Sequence, residues 1–255
     1  MRKIAIVNNK GGVAKTTNAM NIGTGLAKMG KRVLLIDCEP QGNLTTCLGV
    51  TDIKISTWDI FNEAATVGDA IVHTKSGCDL LPTPSTRILA KMNTILPTVV
   101  GYDKILAEAI APIESNYDYI FVDCQPDMSS ALTVNALVAC TEIFIPIMPD
   151  FLPTTGTQQL KNEIVPVQKR LNKDIKVTGI IFSKFKRSNL SRDMMEMVKA
   201  VFGDVTFKTV IGDFVDIAAA PGYGMSIYEY NPNSKAAMQY AELCQEIIAQ
   251  EGTNG

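Results

Sequence analysis

The junction Asn8-Asn9-Lys10-Gly11-Gly12-Val13-Ala14-Lys15-Thr16-Thr17 constrains this chain more than any other stretch. It follows a short apolar run, Ile4 to Val7, and opens a segment, Thr16 to Met29, whose pattern predicts a helix. Consecutive glycines let the backbone turn tightly and aim successive N–H groups at one point, where the next helix also directs the positive end of its dipole. Lysine and threonine at the helix entrance suit a phosphate and its cation, with Lys15 neutralising charge on the outer phosphates and the Thr16 hydroxyl ligating magnesium. A glycine-rich turn that merely joins strand to helix is the plainer alternative. Context favours phosphate binding, because carboxylates stand at the ends of later apolar runs.

Those runs recur along the chain at Val33 to Ile36, Tyr119 to Val122, Ile143 to Ile147, Val177 to Phe182 and Val205 to Ile211. Continuous apolar runs of this length suit strands buried on both faces. Helical patterns fall between them at Lys104 to Ser115, Ser130 to Cys140, Thr157 to Leu171 and Asn189 to Phe202, with a terminal helix over Ser234 to Gln250. This alternation predicts an α/β fold, a doubly wound and mostly parallel sheet flanked by helices. With 255 residues, 46% of them hydrophobic, and neither repeat nor long linker, the chain is expected to form one domain over residues 1–255. Thr51 to Pro97, with its Pro82-Thr83-Pro84-Ser85 segment, reads as decoration on the sheet.

A net charge of -2 gives no global basic field, so any nucleic-acid contact must come from a local patch. Cys38, Cys47, Cys78, Cys124, Cys140 and Cys244 form no C-x-x-C pair and no cluster with His73, which reads as a surface residue. They are expected to be reduced, mostly buried thiols in a cytoplasmic protein. Met1-Arg2-Lys3 leads straight into a strand, no apolar run is long enough to span a bilayer, and the terminal helix lacks the basic face of a membrane anchor.

The strict G-x-x-x-x-G-K-[ST] pattern fails, because Asn9 and Ala14 occupy its glycine positions. What remains resembles the deviant Walker motif K-G-G-x-[GA]-K-[ST]-[ST] of the ParA-type partition ATPases in the ParA/Soj/MinD superfamily. Asp37-Cys38-Glu39-Pro40-Gln41-Gly42-Asn43 is similar to that family's D-x-D-P-Q-x-N switch. Tyr119 to Asp123 resembles its Walker B strand, and Cys124-Gln125-Pro126 its D-C-P-P second switch. Ala220-Pro221-Gly222-Tyr223-Gly224 and Tyr230-Asn231-Pro232-Asn233-Ser234-Lys235 look like its A-P-x-x-G and Y-x-P-x-S-K segments.

The resemblance implies a slow ATPase that binds Mg-ATP, dimerises on ATP and partitions plasmids or chromosomes, its hydrolysis stimulated by a ParB-type centromere-binding partner. Lys10 is then the signature lysine that reaches the partner subunit's nucleotide. Lys10, Gly11, Gly12, Val13, Ala14, Lys15, Thr16, Thr17 and Pro40 surround the nucleotide, Lys184, Gly212 and Asp213 flank its base, and Thr16 and Asp123 hold magnesium. Glu39 stands where the family has the aspartate that positions the attacking water. The alternative, with Asp37 in the essential role and Glu39 a solvated loop acid, stays open. Ala14 carries a Cβ where many members have glycine, so negative φ is expected there. Ile145-Pro146-Ile147-Met148-Pro149-Asp150-Phe151 falls where the family has its post-strand segment, and Thr155 to Lys161 begins the helix that the resemblance places at the dimer face.

A further departure concerns DNA. Where the family places arginines, in a segment like I-P-R-N-V-R-L-S-E-A-P, this chain has Asp213 and Asp216. An acidic pair weakens phosphate contact there, leaving Lys184, Lys186, Arg187 and Arg192 as a substitute patch. No helix-turn-helix extension precedes the first strand. The second reading is therefore an ATPase that positions protein cargo, or regulates through protein contacts, without DNA. With DNA as its track the protein would be nucleoid-associated. Amide-forming P-loop ligases are a more distant alternative.

Overall fold

Every residue of the strands Val33–Cys38 and Tyr119–Cys124 is buried, which only a sheet covered on both faces allows. The computed structural model describes residues 1–148, 162, 164–186 and 188–252. Its strands are β1 (Arg2–Ile6), β2 (Val33–Cys38), β3 (Val72–His73), β4 (Asp79–Leu81), β5 (Tyr119–Cys124), β6 (Glu142–Ile147), β7 (Lys176–Phe185) and β8 (Thr206–Gly212). They form one sheet in the order β3-β4-β2-β5-β1-β6-β7-β8, parallel except for the β3–β4 pair.

Side chains alternate between two cores along β1: Ile4 and Ile6 face one, Ala5 and Val7 the other. The first core also takes Leu26 from helix α1 (Lys15–Lys28) and Tyr240, Leu243 and Ile247 from the terminal helix Lys235–Ala249. The second takes Leu132 and Ala136 from the helix Ala131–Ala139, with Met194 and Val198 from Asn189–Phe202. Gly179 in β7 is fixed by this packing, since a Cβ there would lie 2.5 Å from the Phe144 ring and 2.6 Å from that of Phe207.

The segment Thr51 to Pro97 is more than decoration. It contributes β3 and β4 to the sheet, and Leu80 and Leu81 are fully buried beside β2. The predicted helix from Lys104 to Ser115 shortens to Ile105–Ile110 between two 3-10 turns. Of the predicted helix Thr157 to Leu171, residues 162 and 164–170 are helical and the start lies outside the described residues. The six cysteines are free, all buried except the half-buried Cys47, and exposed His73 sits 2.5 Å from Asp79.

Strand register brings the chemistry together. β1 lies between β5 and β6, and the loop after β1 leaves the same sheet edge at which β2 and β5 end, with Asp37 and Asp123 in register. This C-terminal strand edge, at the point where connections run in opposite directions, is where open α/β sheets bind ligands.

Candidate functional site

The loop after β1 is tied from within. Asn8 donates through Nδ2 to the Pro146 carbonyl at 2.8 Å and accepts at Oδ1 from the Lys10 N–H at 3.0 Å. Lys15 Nζ donates to the carbonyls of Asn8 and Lys10, at 3.2 and 3.3 Å. Asn9 Oδ1 accepts the Met128 N–H at 3.1 Å, linking the loop to the segment after β5. Gly12 has φ 75°, and a Cβ on Gly11 or Gly12 would meet nothing within 4 Å. Both glycines line a cleft of about 300 Å³ together with Ala14, Lys15, Thr16 and Thr17. Glu39, Pro126 and Lys184 close its other sides. Val13 is buried and turns its side chain into the protein rather than towards the cleft.

Ala14 corrects the expectation of negative φ. It adopts φ 67° and ψ 27° at the entrance to α1, a left-handed conformation that costs a non-glycine residue about 1–2 kcal/mol. Burial of Val13 before it and the Asn18 N–H bond to its carbonyl, 2.9 Å, hold it there. The loop thus keeps the turn that glycine would make, at the expense of local strain.

Thr16 Oγ1 donates to Asp123 Oδ2 at 2.6 Å, whereas Asp123 Oδ1 is buried and has no hydrogen-bond partner among the described residues. Burial raises the Asp123 carboxyl above its usual range, and the nearby Asp37 adds to the effect. Burial likewise lowers Lys15, opposed by the attraction of Asp123. A buried carboxylate with one oxygen unpaired, beside a hydroxyl and a lysine, suits a hard cation with its water and an anionic phosphate. The residues present therefore fit magnesium and a nucleotide phosphate tail.

Asp37 is differently employed. Its Oδ1 accepts the Glu39 N–H at 3.2 Å, and its Oδ2 accepts both the N–H and the hydroxyl of Thr45, at 2.9 and 2.7 Å. Burial raises its pKa to about 7 despite these bonds. Thr45 Oγ1 accepts the Thr83 N–H at 2.9 Å, and Thr83 Oγ1 donates to the Asp37 carbonyl at 2.5 Å. Glu39 is 7% exposed, so it is no solvated loop acid, and its Oε2 accepts from Asn43 Nδ2 at 2.9 Å. Its pKa is raised by burial and faces Lys15 and Arg87 electrostatically. Pro40 behind it is buried.

Residues 1–177 match a family model described as an AAA domain. The sporulation initiation inhibitor protein Soj of Bacillus subtilis is 39% identical over 250 residues, covering 96% of this chain and 98% of its own. The chromosome partitioning protein ParA of Caulobacter vibrioides is 35% identical over 257 residues, covering 98% and 95%. The chain belongs to the ParA/Soj/MinD superfamily of ATPases. Cobyrinic acid a,c-diamide synthase from Mycobacterium smegmatis, solved with ADP and magnesium, superposes with a TM-score of 0.85 at 28% identity, covering 100% of this chain and 96% of that one. The septum site-determining protein MinD of Pyrococcus horikoshii, complexed with Mg-ADP, gives 0.80 at 25% identity, covering 100% and 98%.

In this superfamily member the residues expected around a base divide between two clefts. Lys184, exposed and at φ 55°, lines the cleft of the loop. Gly212 and Asp213 line a second cleft of about 860 Å³, with Phe185 and Phe214. The two clefts flank consecutive residues, Lys184 and Phe185. Gly212 has its own reason, since a Cβ there would come within 2.7 Å of the Phe214 ring. Lys10 is exposed at the mouth of the loop, and Thr17 is half-buried. Pro149, Asp150, Phe151, Thr155 to Lys161 and Arg187 lie outside the described residues.

The proposed substitute patch is partly spent in this ATPase. Lys186 pairs with Asp213 at 3.3 Å, and Arg192 donates to Asn189 Oδ1 at 2.8 Å. Asp216 accepts from Asn231 Nδ2 at 2.9 Å. The sequence pattern did not point to Asn8, Asn9, Thr45 or Thr83 as site residues. Only polar side chains placed beside the glycine loop and beside Asp37 were there to suggest them.

Proposed function

We propose that this protein is a Mg-ATP-dependent ATPase that dimerises on ATP and partitions a plasmid or chromosome, with hydrolysis stimulated by a ParB-type centromere-binding protein. The observation that carries this reading is the buried, unpaired Asp123 Oδ1 beside the Thr16 hydroxyl at the mouth of the glycine loop. Thr16 and Asp123 would hold magnesium, which would neutralise phosphate charge. Lys15, now bonded to loop carbonyls, is within reach to exchange those acceptors for phosphate oxygens. Lys10, exposed at the loop, is the group that meets a partner subunit's nucleotide. Glu39, held by Asn43, positions the attacking water, and Asp37 braces the strand end from which Glu39 projects. The name of the chromosome partitioning protein ParA, which matches over nearly the whole chain, supports chromosome partitioning.

Among the described residues no helix is long and apolar enough to cross a membrane. Partition along DNA would place the protein in the cytoplasm on the nucleoid. A second reading rests on Asp213 and Asp216: an acidic pair on the face expected to meet DNA favours an ATPase that moves protein cargo through protein contacts. Binding to nonspecific duplex DNA with Mg-ATP, with Mg-ADP and without nucleotide, at two salt concentrations, separates the readings. Salt-sensitive binding only with ATP is expected for partition on DNA. An ATP dimer that binds no DNA at either salt would sink that reading in favour of protein cargo. A chain that neither binds ATP nor dimerises would sink both.

A further inference from the structure

Position 125 is where the family pattern carries a proline immediately after Asp-Cys, and this chain has glutamine there. Proline restrains the backbone by fixing φ, whereas glutamine leaves it free. The structure supplies a different restraint. Gln125 Nε2 donates to Asn93 Oδ1 at 3.2 Å, and Asn93 Nδ2 donates back to Gln125 Oε1 at 3.3 Å. The same Asn93 Oδ1 accepts the Leu132 N–H at 3.2 Å, in the first turn of the helix Ala131–Ala139. One side chain thus grips both ends of the segment from 125 to 132, which opens on Gln125 and Pro126 of the second switch, while Asn9 holds its middle through the Met128 N–H.

Asn93 is itself well founded. It belongs to the short helix Met92–Ile95, whose Met92 is fully buried with Leu89 before it and Leu96 after it in the apolar core. Asn93 and Gln125 are both half-buried, so the paired amides compete with water less than surface amides would. Pro126, next to Gln125, lines the cleft of the glycine loop together with Thr16.

We infer that Asn93 and Gln125 are a pair of positioning residues that replaces the restraint of the missing proline and holds the second switch in register with the phosphate site. The inference rests on the ATPase reading above for its kinetic consequence but not for its structural one. Neither residue is among the described residues that line the cleft of the glycine loop. Loosening the pair therefore reduces turnover while leaving ATP affinity, set by the glycine loop, nearly unchanged.

The test uses the full chain and the variants Asn93→Ala, Gln125→Ala, the double variant, and Asn93→Ala combined with Gln125→Pro. Hydrogen exchange without nucleotide is expected to speed about tenfold at Leu132 and over residues 126–130 in Asn93→Ala. Gln125→Pro is expected to restore protection over 126–130 but not at Leu132, which still lacks its acceptor. Steady-state ATP hydrolysis should show kcat lowered about tenfold in either single variant with KM little changed, no further loss in the double variant, and recovery with the proline. Unchanged exchange in Asn93→Ala, losses that multiply in the double variant, or a rise in KM at constant kcat would each overturn the inference. A wild-type chain that hydrolyses no ATP would overturn the proposed function alone, since the exchange data decide this pair independently.

Discussion

The Thr16 hydroxyl gives its proton to one oxygen of Asp123 at 2.6 Å and leaves the other oxygen buried and unpaired. Thr16→Ala removes the donor as well, so the buried carboxylate loses about 1–3 kcal/mol of hydrogen bonding and the cation its hydroxyl ligand. Magnesium-dependent ATP affinity is expected to fall at least about tenfold, with Thr16→Ser close to wild type. Equal affinity for ATP with and without magnesium in the wild type would remove both residues from metal binding.

Lys15 is buried at the loop, donates to two carbonyls and is attracted by the nearby Asp123 and Glu39, so it stands ready to exchange those carbonyls for phosphate oxygens. Lys15→Ala should abolish nucleotide-dependent dimerisation. Light scattering with and without Mg-ATP checks this, and an ATP dimer formed by the variant would refute the assignment.

Glu39 is buried beside the cleft, bonded to Asn43, which suits a group held for a task. Glu39→Ala should bind ATP normally and hydrolyse it about a hundredfold more slowly, the scale on which misplaced catalytic groups act. Unchanged turnover takes Glu39 out of the reaction and returns the role to Asp37.

At the opposite end of β1, Arg2 forms two bonds to Glu142, at 2.8 and 2.5 Å, and a third to the Ile247 carbonyl of the terminal helix, at 2.8 Å. Burial alone would raise the Glu142 carboxyl, but the bonds from Arg2 and Thr178 outweigh it and the pKa falls below its ordinary 4.5. A depressed folded pKa contributes stability that is present above the unfolded value and lost as pH falls through the folded one. Thermal unfolding midpoints of the wild type should therefore drop below about pH 4.5 more steeply than those of Glu142→Gln. Arg2→Ala, which removes two donors from a part-buried carboxylate that Thr178 still bonds, should cost about 1–3 kcal/mol at neutral pH. Parallel midpoint curves for wild type and Glu142→Gln would show that the pair does not govern acid stability.

How much of this was legible beforehand follows from where the information sits. Central strands such as Tyr119–Cys124 announce themselves as continuous apolar runs, and the glycine loop is local chemistry in ten adjacent residues. Asp79–Leu81 is three residues long, too short for any periodicity, and pairing with Leu34 to Ile36 on one side and Val72–His73 on the other makes it a strand. The left-handed Ala14 was hidden because its neighbours, not its own preference, set its φ. Thr83 on the Asp37 carbonyl, and Asn93 on Gln125 across 32 positions, are tertiary contacts between ordinary polar residues, and no local pattern marks them.

The exposed Lys186–Asp213 pair offers a direct test of DNA binding. An exposed ion pair contributes little to folding, about 0–1 kcal/mol, so it can be altered without harm to the fold. Asp213→Arg replaces a repelling charge with an attracting one and frees Lys186 from its partner. If this face meets DNA in the ATP state, nonspecific affinity should rise, and the slope of log K against log salt should steepen by about 0.9 for the new arginine and about 1.8 if Lys186 also engages a phosphate. Titration of a labelled duplex at several salt concentrations, with Mg-ATP present, reads both quantities. An unchanged affinity and slope in a variant that still dimerises would mean that this face does not touch DNA. The acidic pair would then belong to a surface that meets protein, as the cargo reading requires.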